Sequence, residues 1–110
     1  MLEGSCDCGA ARYRVDGTLE EVTDCNCGIC RRYGGLWSHY PARVVETSGP
    51  TDIYMRGERM LEMHRCRACG CVMFWIAVDK TFDRMGVNTR MLPPEVLERA
   101  RVKKCDGASW

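Results

Sequence analysis

A chain of 110 residues with 16 Lys and Arg against 15 Asp and Glu, formally +1, reads as one domain over residues 1–110 and lacks the basic excess of a dedicated nucleic-acid binder. Its longest apolar run, residues 72–78, is strand-sized and far short of the roughly 20 residues of a membrane helix. Nine cysteines, an odd number, eight of them in tight clusters, suit metal chelation better than a disulfide framework. The run from Met1 to Cys6 has no basic segment followed by an apolar one, so the expected location is the cytoplasm.

In chain order, Ala11 to Val15 alternates apolar with charged residues and ends at Asp16-Gly17, the pattern of a half-buried strand closed by a turn. Leu36 to Tyr40, Ile53 to Arg56, Met60 to Arg65, Val72 to Val78 and Met85 to Asn88 are further strand candidates. Val72 to Val78 has no polar position, which predicts a central strand covered on both faces. Pro93 to Ala100 opens with proline and carries acidic residues early, predicting a helix of about two turns. Arg101 to Cys105 predicts a last strand before Asp106-Gly107. The fold class expected is mostly β, built of small antiparallel sheets with one short helix beyond the metal loops.

The cysteines divide into two sets. Cys6 and Cys8 stand at i and i+2, so in an extended strand both thiols reach the same side. Cys66 and Cys69, followed by Gly70, form a two-residue-spaced knuckle, and the two pairs together make the four-thiolate tetrahedron of a structural zinc site. Cys25, Cys27 and Cys30 combine both spacings and present three thiolates from one short segment. A redox reading of Cys27 and Cys30 needs a βαβ context that this strand-rich chain does not offer. Two Zn²⁺ per chain are therefore expected, and seven ligating thiolates around them would take the charge from +1 to about −2.

Gly4-Ser5-Cys6, Cys8-Gly9, the Cys25, Cys27, Cys30 triplet with Arg31-Arg32, Cys66 with Cys69-Gly70, Gly86-Val87-Asn88 and Asp106-Gly107 fall in an order that resembles the glutathione-dependent formaldehyde-activating enzymes. That family is grouped with centromere protein V and shares the Mss-four-like zinc fold first named for a Rab exchange factor. The resemblance implies a structural zinc on Cys6, Cys8, Cys66 and Cys69 and a catalytic one on Cys25, Cys27 and Cys30. It also implies carbon-sulfur lyase chemistry: formation or cleavage of S-hydroxymethylglutathione. Many members carry serine after the second cysteine of the triplet, where this chain has Gly28.

Three thiolates on Zn²⁺ leave a net charge of −1, which favours a soft sulfur ligand over activated water. A substrate thiol, glutathione in the family's case, is the expected fourth ligand and small-molecule partner. Arg31 and Arg32 are candidate anchors for its carboxylates because guanidinium forks match carboxylate geometry, and Asn88 and Arg90 are candidate pocket residues. His39 and His64 can be read as zinc ligand, general base or packed side chains. Trp37, Tyr40 and Trp75 fit core positions better than pocket walls. Cys71 and Cys105 are either small buried hydrophobes or the fourth thiolate that would close the triplet. A non-catalytic two-zinc scaffold for a protein partner is the competing function.

Overall fold

The computed structural model describes residues 1–109, and its ten strands form two sheets. β1 (Leu2–Ser5), β2 (Arg12–Val15) and β5 (Val45–Ser48) make a three-stranded antiparallel sheet in that order. The second sheet uses β3 (Glu21–Cys25), β4 (Trp37–Tyr40), β6 (Thr51–Tyr54), β7 (Leu61–Cys66), β8 (Val72–Ala77), β9 (Met85–Asn88) and β10 (Arg101–Cys105), ordered β10-β3-β4-β9-β8-β7-β6. The mostly β expectation holds, with β9 and β10 at the predicted limits. β1, β3 and β5 gave no alternation long enough to announce them. β10 runs parallel to β3, so the larger sheet is mixed rather than antiparallel throughout.

The core lies between the sheets. Tyr13 and Val15 of β2 meet Met73, Phe74, Met85 and Val87 of β8 and β9. Tyr13 Oη donates to the Asn88 carbonyl at 2.8 Å, a cross-sheet bond that satisfies a polar tip inside an apolar layer. β8 lies between β7 and β9 as predicted, with Met73 and Phe74 buried and the other four residues half-buried, so its second face is only partly covered.

Two short helices appear where one was expected. α1 (Gly28–Tyr33) is wound within the cysteine triplet itself: Cys27 is its N-cap, and its sulfur accepts from the Cys30 backbone N–H at 3.4 Å. Six residues are too few to show helical periodicity, so the ligand spacing, not an apolar stripe, encodes this turn. α2 (Pro94–Leu97) is shorter than the predicted stretch because the chain must turn through residues 98–100 to feed β10, where Arg101 N donates to Glu20 O at 2.9 Å.

Candidate metal centres and the groove beside them

Cys6 and Cys8 follow β1, Cys66 ends β7 and Cys69 sits in the turn toward β8, so one cluster bridges the two sheets. The four sulfurs lie within 4.8 Å of one another, with Cys6 to Cys8 at 3.6 Å and Cys8 to Cys66 at 3.7 Å. A tetrahedron with zinc-sulfur bonds of about 2.3 Å has edges of roughly 3.8 Å, so the donor set fits zinc. Gly70, at φ +83°, makes the left-handed turn after the knuckle, and its N–H returns to Cys66 O at 2.9 Å. Backbone donors at Cys71 and Cys8 hold the Cys69 thiol down at about 6. Cys8 has a backbone donor at Ala10, but sharing a proton with Cys6 pushes its thiol up to about 12. A divalent cation held by these four sulfurs would replace the shared protons and release them.

The second cluster is local. Cys25 closes β3, Cys27 caps α1 and Cys30 lies within α1, and their sulfurs also fall within 4.8 Å of one another. Burial opposes ionisation of Cys27, yet the backbone N–H groups of Cys30 and Ile29 and the thiols of Cys30 and Cys25 hold it at about 7. Burial, and then the Cys27 thiol beside it, push Cys30 well up. Both clusters could hold a metal ion, and the all-sulfur donor sets are compatible with zinc.

Beside the triplet opens a groove of about 560 Å³, within the usual range for small-molecule clefts. α1 supplies Gly28, Arg32 and Tyr33; the hairpin of β6 and β7 supplies Tyr54, Arg56 and Arg65. Arg56 Nη1 lies 3.8 Å from the Cys27 sulfur, and Arg32 Nη1 donates to Gly28 O at 2.7 Å. The ladder shifts register between His64 and Arg65, an irregularity of the kind that re-aims side chains near functional sites. A chain near neutrality thus gathers three guanidinium groups around one groove, with Arg56 reaching the cluster.

Of the residues expected at a substrate pocket, Arg32 is in this groove. Arg31 is exposed on α1 and does not line it, and Arg90 is exposed with Nε donating to Gly34 O at 2.7 Å. Asn88 is committed to the fold: its side-chain oxygen accepts from Leu36 N and Arg90 N, and Nδ2 donates to Val72 O at 2.8 Å. Asn88→Ala is expected to cost about 2 kcal/mol by orphaning buried backbone groups, read as a lower urea midpoint at unchanged m-value. Tyr54, Arg56 and Arg65 escaped the sequence reading because only the folding of the β6-β7 hairpin over α1 brings them to the groove beside the triplet.

The remaining candidates are placed elsewhere. His64 is buried, with Nδ1 2.8 Å from Thr51 Oγ1 and Nε2 3.2 Å from Glu62 Oε1, and stacks on Phe74 at 4.6 Å. His39 is exposed and tilted against Trp75 at 5.6 Å. Trp37 and Tyr40 are core, as expected. Cys71 neighbours Cys69 and Cys6, at the other cluster.

The family described as glutathione-dependent formaldehyde-activating enzyme matches residues 1–101. A Halomonas elongata protein named "Putative glutathione-dependent formaldehyde-activating enzyme" is 33% identical over 88 residues, covering 69% of this chain. The match spans 55% of that relative, so the chain accounts for about half of its length. A crystal structure of a Rhodobacter sphaeroides protein shares the fold, with a TM-score of 0.75 at 22% identity over 93% of this chain and 100% of that one. On the match over residues 1–101, the chain belongs to the glutathione-dependent formaldehyde-activating enzyme family.

Proposed function

We propose that this chain is a zinc-dependent carbon-sulfur lyase that joins glutathione and formaldehyde into S-hydroxymethylglutathione or parts that adduct. Cys6, Cys8, Cys66 and Cys69 would hold a structural zinc, and Cys25, Cys27 and Cys30 a second one. Zinc on the triplet would supply a soft electrophilic seat at which a thiol gives up its proton. The observation that carries the reading is the three-arginine groove opening directly beside Cys27.

Glutathione is a thiol with two carboxylates spaced along a short peptide, and Arg32, Arg56 and Arg65 offer charge-assisted anchors for both. Tyr33 and Tyr54 line the same groove and would flank the peptide backbone between those anchors. Anchoring both ends places the sulfur at the triplet and turns a bimolecular addition into a positioned one. The sulfur then attacks the carbonyl carbon, the carbon-sulfur bond forms as the π pair moves to oxygen, and the proton released by the thiol ends there. Cleavage is the reverse. None of the nine cysteines is in a disulfide, which fits a reducing compartment such as the cytoplasm. Among the described residues no helix is long and apolar enough to cross a membrane.

Calorimetric titration of the zinc-loaded protein tests the reading. Glutathione is expected to bind at least about tenfold more tightly than its diethyl ester, which lacks both charges, because each charge-assisted anchor contributes about 1.5–3 kcal/mol. Arg56→Ala and Arg65→Ala should each weaken glutathione by about the same factor. Arg14→Ala, on the small sheet beside Glu3, should change nothing. Equal affinity for glutathione and its diester would overturn the assignment.

A further inference from the structure

A tetrahedral ion on the triplet needs a fourth donor, and three of the four side chains that could close it are occupied elsewhere. Cys71 lies with the bridging cluster, and His64 is bonded to Thr51 and Glu62. His39 lines a separate groove with Glu20, Glu21 and Arg84. The fourth, Cys105, stands beside Cys25 in the fold with its sulfur outside the three that meet within 4.8 Å, so a rotation of its side chain has to bring it in. β10 runs parallel to β3 with Cys105 in register with Cys25, and residues paired in register leave a sheet on the same face.

The segment after Cys105 is fastened onto the triplet. Asn26, the residue between the first two ligands, donates from its backbone to Cys105 O at 3.0 Å and from Nδ2 to Asp106 Oδ1 at 2.9 Å. Asn26 Oδ1 in turn accepts from Ala108 N at 2.9 Å. Gly107 lies so close that a Cβ there would stand 2.6 Å from the Cys25 sulfur and 3.1 Å from Cys27 Cβ. The ligand loop therefore grips the strap that carries Cys105.

We propose that Cys105 is the fourth ligand of the triplet ion while no substrate thiol is bound, and that it yields that place to the incoming thiol. The inference rests on the triplet being a thiol-binding metal site, as proposed above. The exchange balances: the incoming thiol loses a proton as its sulfur takes the position, and the released Cys105 sulfur gains one. A cysteine that alternates in this way keeps the ion in a four-thiolate set between turnovers and leaves the arginine groove free for the peptide.

Cobalt(II) replaces zinc in the full chain, without added thiol, for the first arm of the test. Sulfur-to-cobalt charge transfer should correspond to eight thiolate bonds per chain in the wild type and in Cys71→Ser, and to seven in Cys105→Ser. Superimposable wild-type and Cys105→Ser spectra would refute the ligand assignment. The second arm uses zinc protein, a trace of N-ethylmaleimide far below the glutathione concentration, and peptide mapping with Cys105 labelling scaled to that of Cys71, so that glutathione stays in place and its competition for the reagent cancels. Cys105 should be protected without glutathione and labelled at least tenfold faster with glutathione saturating, whereas equal labelling overturns the exchange. Asn26→Ala, which loosens the strap without removing a thiol, should raise labelling severalfold in the absence of glutathione. The cobalt arm contains no glutathione, so an inactive protein whose Cys105→Ser spectrum still loses a thiolate refutes the enzyme reading and retains the ligand assignment.

Discussion

Cys69→Ser is expected to abolish cooperative folding, because the bridging cluster holds segments that nothing else joins so tightly. The Cys8 and Cys66 sulfurs that meet at 3.7 Å are 58 residues apart in the chain, and cross-linking a loop of that length stabilises by about 4 kcal/mol through loop closure alone. Structural zinc contributes about 10 kcal/mol or more at neutral pH, comparable to the whole stability of a small domain. The cluster also fixes β1 against β7, and with it the core between the sheets. Thermal melts of Cys6→Ser and Cys69→Ser should show no native transition near that of the wild type. Midpoints equal to that of Cys27→Ser would contradict the structural role.

Cys27→Ser should behave differently on every count. The triplet itself spans only Cys25 to Cys30, and β10 is already held beside β3 by strand pairing, so even with Cys105 as the fourth ligand the ion does little of the loop closing. Serine is itself a strong N-cap and can accept the Cys30 N–H that the Cys27 sulfur now takes. The variant is therefore expected to fold with a stability loss within about 2 kcal/mol, to retain one zinc per chain against two expected for the wild type, and to lose activity. Metal analysis beside a melt checks both; an unfolded variant, or one with both ions, would be inconsistent with separate sites.

Sequence spacing was enough to sort seven cysteines into the two sets that the fold brings together, because ligands at i, i+2 and i+3 constrain geometry over a few residues and need no tertiary information. The strands with clear alternation or unbroken apolar runs were legible for the same local reason. What was illegible depends on long-range pairing. Nothing near Arg101 to Cys105 says that β10 pairs in parallel with β3, although that pairing sets Cys105 beside Cys25. Arg56 and Arg65 look like ordinary exposed charges until the β6-β7 hairpin places them across from α1. Asn88 misleads in the opposite sense: a polar residue in a motif suggests chemistry, whereas here its amide ties together Leu36, Val72 and Arg90.

The central claim is that the triplet, and not the bridging cluster, carries carbon-sulfur chemistry on a glutathione adduct. Exchange NMR with ¹³C-formaldehyde, glutathione and S-hydroxymethylglutathione at equilibrium measures that interconversion directly. The two-zinc protein is expected to accelerate the exchange above the uncatalysed rate, and Cys27→Ser, folded and still holding its bridging zinc, is expected to return it to that rate. Exchange that is no faster with the wild-type protein than without it, or that Cys27→Ser accelerates equally, would contradict the account and leave a two-zinc scaffold in its place.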